Sequence, residues 1–392
     1  MLDFNFYNPT RIIFGKDRLE SMNDYIPADA NVLIITYGVE ALQPLIDKIK
    51  GVLGNRKVYE FVGIEPNPEY ETCLKAGAMV REKNIDYLLA VGGGSVMDAT
   101  KFIAVAAYYD GDPSEMLFLD RPAPVFIPEI AAKVRNVIPF GTVCTLPATG
   151  SEMNESGCIT RNHVKCVMKD PSMFPKFSIL DPTNTFSLPK NQITNGIVDT
   201  FVHATEQYLT YPVNARLQDR MAEGILQTLI EMGETTIAEP ENYDERANLF
   251  WCATVAQNRS ISPGVPQDWA AHAIGLELSV LFGLAHAEGV GVILPALLEE
   301  RREQKREKLL QYAERVWHID NGTDDEKIDL AIKNTREFFE KVGMKTHMSD
   351  YGIGADQIPA IIEKLKQSEK VALGERKDIT LDISKKILER AL

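Results

Sequence analysis

The fold is decided by Tyr87–Phe102, a stretch with the sequence YLLAVGGGSVMDATKF. Its five leading apolar residues are typical of a buried strand, three glycines follow as a turn, and the remainder has a helical pattern. A second β-rich apolar run at Asn31–Thr36 (NVLIIT) is also followed by an amphipathic stretch, and further strands are expected at Asn136–Ile138 and Phe177–Leu180. This alternation predicts βαβ units that carry a parallel sheet.

The second half of the chain has a different pattern. From about Leu188 onward, long patterns with a period of 3.6 residues replace the β-rich runs, which predicts helices. We therefore expect an α/β N-terminal domain, residues 1–185, and an all-α C-terminal domain, residues 186–392. The proline-rich stretch 121–129 (RPAPVFIPE) predicts a surface loop.

Composition excludes several classes of function. The 392 residues carry a formal net charge of -14, which argues against a nucleic-acid partner, because such proteins display basic patches. Five scattered cysteines without a C-x-x-C pair indicate neither a disulfide framework nor a cysteine zinc site. The first residues do not show the basic segment and apolar core that are typical of a secretory signal peptide. No apolar run is long enough to span a membrane as a helix. We expect a cytoplasmic protein.

The glycine turn is a candidate phosphate site. Gly92, Gly93, Gly94 and Ser95 join the strand to the helix, so the backbone can approach a pyrophosphate closely and present free N–H groups to it. The alternative is a tight bend without a ligand. The turn matches neither the G-x-G-x-x-G fingerprint nor a P-loop. A second polar turn, TLPATGSE at 145–152, offers hydroxyls suited to a cofactor cleft or forms a plain loop.

Histidine spacing in the second half indicates a metal centre. Asp199 and His203 are four residues apart in a helical pattern, which puts both side chains on one face. His272 and His286 are fourteen residues apart, and both can fold back toward the first pair. Three imidazoles and one carboxylate suit a divalent transition ion, zinc or iron. For each histidine alone, the alternative is an ordinary packed or solvated side chain.

Several motifs together resemble the iron-activated, or group III, alcohol dehydrogenase family across essentially the whole chain. They are PTRIIFGKDRLE (9–20), GIEPNP (63–68), VGGGSVMDATKF (91–102), TLPATGSE (145–152), the Asp199/His203 pair and HAIGLELSVLFGLAHAEGVGVILP (272–295). Details such as NGIVDTFVHATEQY, GVPQDWAAH and LLQYAERVW look most like the branch that holds NADPH-dependent aldehyde reductases and butanol dehydrogenases.

The resemblance implies an architecture like that of dehydroquinate synthase, with a Rossmann-like N-terminal domain, a helical C-terminal domain and an active site in the cleft between them. It also implies a homodimer. Asp199, His203, His272 and His286 match the four metal ligands. The positions implied for the cofactor are Gly38, Gly92, Gly93, Gly94, Ser95, Asp98, Thr145, Thr149 and Lys165.

Two departures from the family pattern bear on function. Many relatives have a proton-relay histidine four residues after the third ligand, where this chain has Leu276. NAD-preferring members often place an aspartate after the second strand, where this chain has Ile35-Thr36-Tyr37-Gly38. The missing aspartate favours NADP(H) slightly over NAD(H), although the turn is short and Glu40 would repel a 2′-phosphate.

These features predict hydride transfer between NAD(P)H and a short or medium aliphatic aldehyde or alcohol. Trp269 and Phe282, which lie close to the ligands in sequence, are candidates for an apolar substrate wall. The alternatives are a lyase similar to dehydroquinate synthase, a polyol enzyme similar to glycerol dehydrogenase, and a non-catalytic metal or nucleotide sensor. A lyase of that kind would crowd arginine and lysine around the metal, whereas mainly apolar residues flank the ligands here.

Overall fold

The computed structural model describes residues 1–117 and 128–392. The chain divides into two compact units, one formed by Tyr7–Leu188 and the other by Pro189–Leu392 together with Met1–Phe6. Residues 121–127 of the predicted loop lie outside the described residues. Pro128, which that prediction also included, begins a short helix.

The strands of the first unit, in chain order, are β1 Arg11–Phe14, β2 Asn31–Thr36, β3 Lys57–Val62, β4 Tyr87–Gly92, β5 Phe140–Cys144, β6 Ser156–Arg161, β7 Val164–Lys169 and β8 Phe177–Leu180. Six of them form a parallel sheet with the strand order β1-β8-β5-β4-β2-β3. The helices of this unit are α1 Gln43–Leu53, α2 Tyr70–Glu82, α3 Gly94–Ala106 and α4 Pro128–Ala131. Strands β6 and β7 form a separate antiparallel ribbon.

The central strands are buried, as their apolar sequences require. All residues of β4 are buried, and β2 is buried from Val32 to Thr36, which is typical of parallel strands covered on both faces. The predicted strands at Asn31–Thr36, Tyr87–Val91 and Phe177–Leu180 are confirmed.

The strand expected at Asn136–Ile138 is wrong, because the strand begins at Phe140 instead. Pro139 has no N–H to donate to a ladder. Its carbonyl accepts from the amide of Leu88, and the pairing with β4 then starts at Phe140.

The second unit is helical, as predicted. Its helices are α5 Lys190–Tyr208, α6 Arg216–Ala238, α7 Tyr243–Gln257, α8 Ala270–Phe282, α9 His286–Glu300, α10 Arg306–Arg315, α11 Asp324–Lys341, α12 Ile358–Gln367 and α13 Leu381–Arg390. The expectation of an all-α domain needs one correction, because the unit also contains a short two-stranded antiparallel ribbon. Its strands are β9 Ala372–Leu373 and β10 Ile379–Thr380. Left-handed backbone at Gly374 and Lys377 turns the chain between these strands.

Two features of the helical unit position the candidate site. Helix α5 is buried from Ile197 to Tyr208, so that it forms the centre of the unit. Helices α8 and α9 are in close backbone contact, because a Cβ atom at Gly275 would lie 2.7 Å from the carbonyl carbon of Gly289. Among the described residues, no helix combines the length and apolar character needed to cross a membrane.

Candidate functional site

Three helices of the second unit bring together the four residues expected to bind a metal. Asp199 and His203 lie one turn apart on α5, His272 is in the first turn of α8, and His286 is the first residue of α9. The chain returns from α8 to α9 through Gly283, whose left-handed backbone ends α8. The close contact of these two helices sets the rings of His272 and His286 5.2 Å apart, measured between their centroids.

Asp199, His272 and His286 each offer a ligand atom within 4.8 Å of the other two, and His203 lies next to Asp199. Oδ1 of Asp199 lies 3.7 Å from Nε2 of His203, 3.8 Å from Nε2 of His272 and 3.6 Å from Nε2 of His286. Ligand atoms about 2.1 Å from a tetrahedral ion are separated by about 3.4 Å, so these distances need only a small contraction to hold one. Nitrogen and oxygen donors without a thiolate suit zinc or iron. The donor set and its spacing therefore fit a divalent transition metal.

Sequence reasoning missed Glu206, which lies three residues after His203 on α5. Its Oε1 accepts the amide N–H of Ala271 at 2.6 Å, and its Oε2 contacts Nδ1 of His272. Burial raises the pKa of Glu206, while the contact with His272 opposes that shift. Its position seven residues after Asp199, on the same face of a helical pattern, is a signal that the sequence did contain.

A second polar cluster lies behind Glu206. The amide of Asp268 donates to the backbone carbonyl of Glu206 at 2.9 Å, and the Asp268 carboxylate lies 2.7 Å from Nζ of Lys305. Lys305 also contacts both carboxylate oxygens of Glu375 at 3.2 Å and donates to the carbonyl of Leu209 at 2.7 Å. Buried carboxylates are thus paired with a buried cation, as buried charges require.

Of the two residues predicted to form an apolar substrate wall, Trp269 lies beside two of the expected metal ligands and Phe282 lies at the other end of α8 from His272. The ring of Trp269 lies 5.1 Å from that of His272 and 6.1 Å from that of His203, on a left-handed backbone that is uncommon for a bulky residue. Phe282 ends α8, roughly 15 Å along the helix axis from His272. Leu276 follows His272 by one turn on the same helix face and is partly exposed.

In the first unit, the glycine turn connects the end of β4 at Gly92 directly to the start of α3 at Gly94. A Cβ atom at Gly94 would lie 2.6 Å from the side chain of Thr149, and one at Gly93 would lie 3.0 Å from Leu146. Glycine is therefore required for the 145–149 turn to pack this closely. The N-terminus of α3, thirteen residues long, opens directly from the turn and provides N–H groups for a phosphate.

The residues around this turn come from neighbouring strands. Thr145 follows β5, and its amide donates to the carbonyl of Gly92 at 3.0 Å. Gly38 follows β2 with φ at 91°, and a Cβ atom there would lie 2.6 Å from Val62. Tyr37, which sequence reasoning missed, lies across the turn and contacts the Gly93 backbone and Ser95, while burial raises its pKa to about 12.

Asp98 is engaged by the protein itself. Ser151 donates to its Oδ1 at 2.7 Å, and the amide of Cys158 donates to its Oδ2 at 2.9 Å. Burial raises the pKa of Asp98, whereas the charges of Lys101 and Lys165 lower it. Lys165 is partly exposed on the β6–β7 ribbon. The structure thus brings Lys165 near Asp98 and gives Asp98 a role in joining α3 to β6.

Comparisons with known proteins show which family the chain belongs to. The profile of "Iron-containing alcohol dehydrogenase" matches residues 9–182, and that of "Fe-containing alcohol dehydrogenase family, C-terminal" matches residues 193–392. The chain is 50% identical over 396 residues to the NADPH-dependent aldehyde reductase YqhD of Escherichia coli, with 100% of both chains covered. It is 38% identical to the NADP-dependent alcohol dehydrogenase 3 of Entamoeba histolytica, with 97% of this chain and 96% of that protein covered.

Solved structures show the same likeness. The crystal structure of Escherichia coli YqhD matches with a TM-score of 0.94 and 49% identity, covering 100% of this chain and 99% of that one. The NADH-dependent butanol dehydrogenase A of Thermotoga maritima matches with a TM-score of 0.91 and 28% identity at the same coverage. The expected fold class and the family resemblance are confirmed. The chain therefore belongs to the iron-containing alcohol dehydrogenase family and is an NAD(P)-dependent oxidoreductase of the alcohol dehydrogenase or aldehyde reductase type.

Proposed function

We propose that this protein reduces short or medium aliphatic aldehydes to alcohols with NADPH, or with NADH, in a metal-dependent reaction. The convergence of three imidazole nitrogens on one Asp199 oxygen, at 3.6 to 3.8 Å, is the observation that carries the proposal. The aldehyde, the reduced cofactor and one proton give the alcohol and the oxidised cofactor. The hydride passes from the nicotinamide to the carbonyl carbon, and the oxygen takes the proton.

Asp199, His203, His272 and His286 would hold zinc or iron. When bound, such an ion supplies Lewis acidity toward the carbonyl oxygen of the substrate. The imidazoles of His203, His272 and His286 hold their Nε2 atoms 3.6 to 3.8 Å from Oδ1 of Asp199, and the Trp269 ring packs beside His203 and His272. Phe282 stays a weaker candidate for the substrate wall, because it lies at the opposite end of α8 from His272.

The first unit would bind the cofactor. Gly92, Gly93, Gly94 and Ser95 would hold the pyrophosphate at the start of α3. Gly38, Thr145 and Thr149 line the same turn region, and Asp98 with Lys165 supports it from the ribbon side. In this proposal residues 1–185 form the nucleotide domain and residues 186–392 form the metal domain.

NADP(H) is the slightly preferred cofactor in this proposal. YqhD and the Entamoeba histolytica enzyme are described as NADPH- and NADP-dependent, whereas the Thermotoga maritima enzyme is described as NADH-dependent. Glu40 opposes this preference, because its exposed carboxylate would repel a 2′-phosphate. Glu40 is the first residue of the short 3-10 helix that follows β2. The preference is therefore a small difference in affinity.

The proposal extends to location and assembly. All five cysteines lie in the described part of the chain as thiols, in keeping with a reducing cytoplasm. By analogy with the family, we expect a homodimer. The exposed apolar side chains of Leu2, Phe4 and Phe6 offer a surface that a second copy could cover. Light scattering coupled to size-exclusion chromatography tests the assembly, and a monomer mass would contradict it.

The direct test is the initial rate of butanal reduction by purified protein with NADPH and with NADH. The rates are compared before chelation, after chelation, and after zinc or iron is restored. We expect turnover that is lost on chelation and recovered with metal. No turnover by metal-loaded protein with either cofactor would instead favour the lyase or sensor alternatives, and a preference for polyols would favour the glycerol dehydrogenase alternative.

A further inference from the structure

Glu206 is a buried glutamate that is not one of the four expected metal ligands but contacts one of them. It is 2% exposed, and each of its carboxylate oxygens has a separate partner on α8: the amide N–H of Ala271 at 2.6 Å and Nδ1 of His272. We propose that Glu206 is a positioning residue, which fixes the tautomer and the ring orientation of His272 so that Nε2 of His272 is the metal donor. The inference rests on the proposed metal centre.

The two nitrogens of the His272 imidazole ring have different roles. A neutral histidine carries one proton, and only the nitrogen without that proton can donate its lone pair to a metal. Nε2 of His272 faces Oδ1 of Asp199 at 3.8 Å, on the side of the proposed metal. When Nε2 donates to that metal, the proton must reside on Nδ1. Glu206 Oε2 lies against Nδ1 and accepts that proton's hydrogen bond. A carboxylate at this position thus stabilises the tautomer that the metal requires.

The carboxylate of Glu206 is itself held in place. Its Oε1 accepts the Ala271 N–H, which is in the first turn of α8 and has no partner within the helix. The backbone carbonyl of Glu206 accepts from the amide of Asp268, whose side chain is anchored to Lys305 at 2.7 Å. Glu206 therefore ties α5, which carries Asp199 and His203, to the start of α8, which carries His272.

A glutamine cannot reproduce this arrangement, although it has nearly the same shape. An amide has one accepting oxygen and one NH₂ group, which only donates. If the oxygen stays on the Ala271 N–H, the NH₂ group faces Nδ1 of His272 and favours the tautomer with its proton on Nε2. If the amide is reversed, a donor faces the Ala271 N–H and leaves a buried amide unsatisfied. Either outcome weakens the site.

Glu277 provides a matched control. It is also 2% exposed, it lies on the same helix as His272, and its carboxylate is paired with Nζ of Lys370 at 2.7 Å. Among the described residues its partner is this lysine and not a metal ligand. Glu277→Gln therefore removes one buried negative charge near the site without changing the partner of an imidazole.

The experiment measures metal affinity directly, without relying on turnover. Wild-type protein, Glu206→Gln and Glu277→Gln are stripped of metal, checked for native circular dichroism and thermal unfolding, and titrated with Zn²⁺ against a chromophoric chelator. Each protein is also loaded with Co²⁺, whose visible absorption reports the ligand geometry. Should Glu206→Gln not fold, Glu206→Asp takes its place, since it keeps the charge but is one methylene too short to reach both partners.

We expect Glu206→Gln, or its replacement, to bind Zn²⁺ roughly 10- to 100-fold more weakly than wild type and to show an altered Co²⁺ spectrum. Glu277→Gln should stay within about twofold of wild type, by the same reasoning. Equal affinities of wild type and Glu206→Gln would overturn the inference and leave the metal centre standing. An equal loss in both variants would overturn it too, because buried charge in general would then be responsible. Failure of the wild-type protein to bind either ion would refute the metal centre and this inference together.

Discussion

The close backbone approach between α8 and α9 provides a sharp test of how the metal centre is built. A Cβ atom at Gly289 would lie 2.4 Å from the carbonyl oxygen of Gly275. Ordinary contacts of this kind are about 3.4 Å or more, so Gly289→Ala must move the helices apart by about 1 Å. His286 precedes Gly289 by one helical turn, so its imidazole moves with the helix.

The expected effect on function is larger than the effect on stability. Metal–ligand distances tolerate deviations of about 0.2 Å, so a shift of about 1 Å in His286 should remove its contribution. A misplacement of this size in a catalytic group costs on the order of 100-fold in kcat/KM. Overpacking destabilises by about 1–3 kcal/mol, and the better helix propensity of alanine restores about 0.5–1 kcal/mol. The net loss in stability is therefore about 0–2.5 kcal/mol.

The assay is metal content after dialysis against a defined Zn²⁺ concentration, together with kcat/KM and thermal unfolding of the same samples. Gly224→Ala is the control, because a Cβ atom at this position in α6 meets nothing within 4 Å. It should keep full metal content and gain up to about 1 kcal/mol in stability. Wild-type metal content and kcat/KM in Gly289→Ala would refute the claim that this helix crossing sets the ligand distances.

Three other substitutions test the remaining sites. Glu40→Ser should lower the KM for NADPH about fivefold, because it removes about 1 kcal/mol of repulsion between the Glu40 carboxylate and the 2′-phosphate. The KM for NADH should stay constant. An unchanged ratio of the two KM values would contradict this prediction. Leu276→His should add a rise in the rate of alcohol oxidation through about pH 6.5, because a neutral imidazole can accept the proton; a pH–rate profile identical to wild type would argue against it. Burial lowers the pKa of Lys101 to about 8, so above that pH the unfolded chain retains a proton that the folded chain has released. The free energy of unfolding of the wild-type protein, relative to that of Lys101→Met, should therefore increase as the pH rises from about 8 to about 10.5. Urea unfolding of both proteins near each end of this interval measures this difference. An unchanged difference would contradict the prediction.

Much of the fold and part of the site could be read from local pattern. Apolar runs identify β2, β4 and β8 because each buried parallel strand has a continuous hydrophobic sequence. The spacing of Asp199 and His203 places them on one helix face wherever that helix packs. The start of β5 was not predicted, because the carbonyl of Pro139 pairs with Leu88, a partner distant in sequence.

The sequence by itself determined the alternation of strands and helices, the glycine turn, the helical second half and the residue types available to bind a metal. These properties depend on residues that are close together in the sequence, so the pattern of apolar, polar and glycine residues predicts them. Only the tertiary structure decided that His272 and His286 meet Asp199, that Glu206 contacts His272, and that Asp98 is held by Ser151 and Cys158. Those contacts join segments far apart in the chain, so they depend on how the helices and strands pack against one another and not on the local sequence pattern.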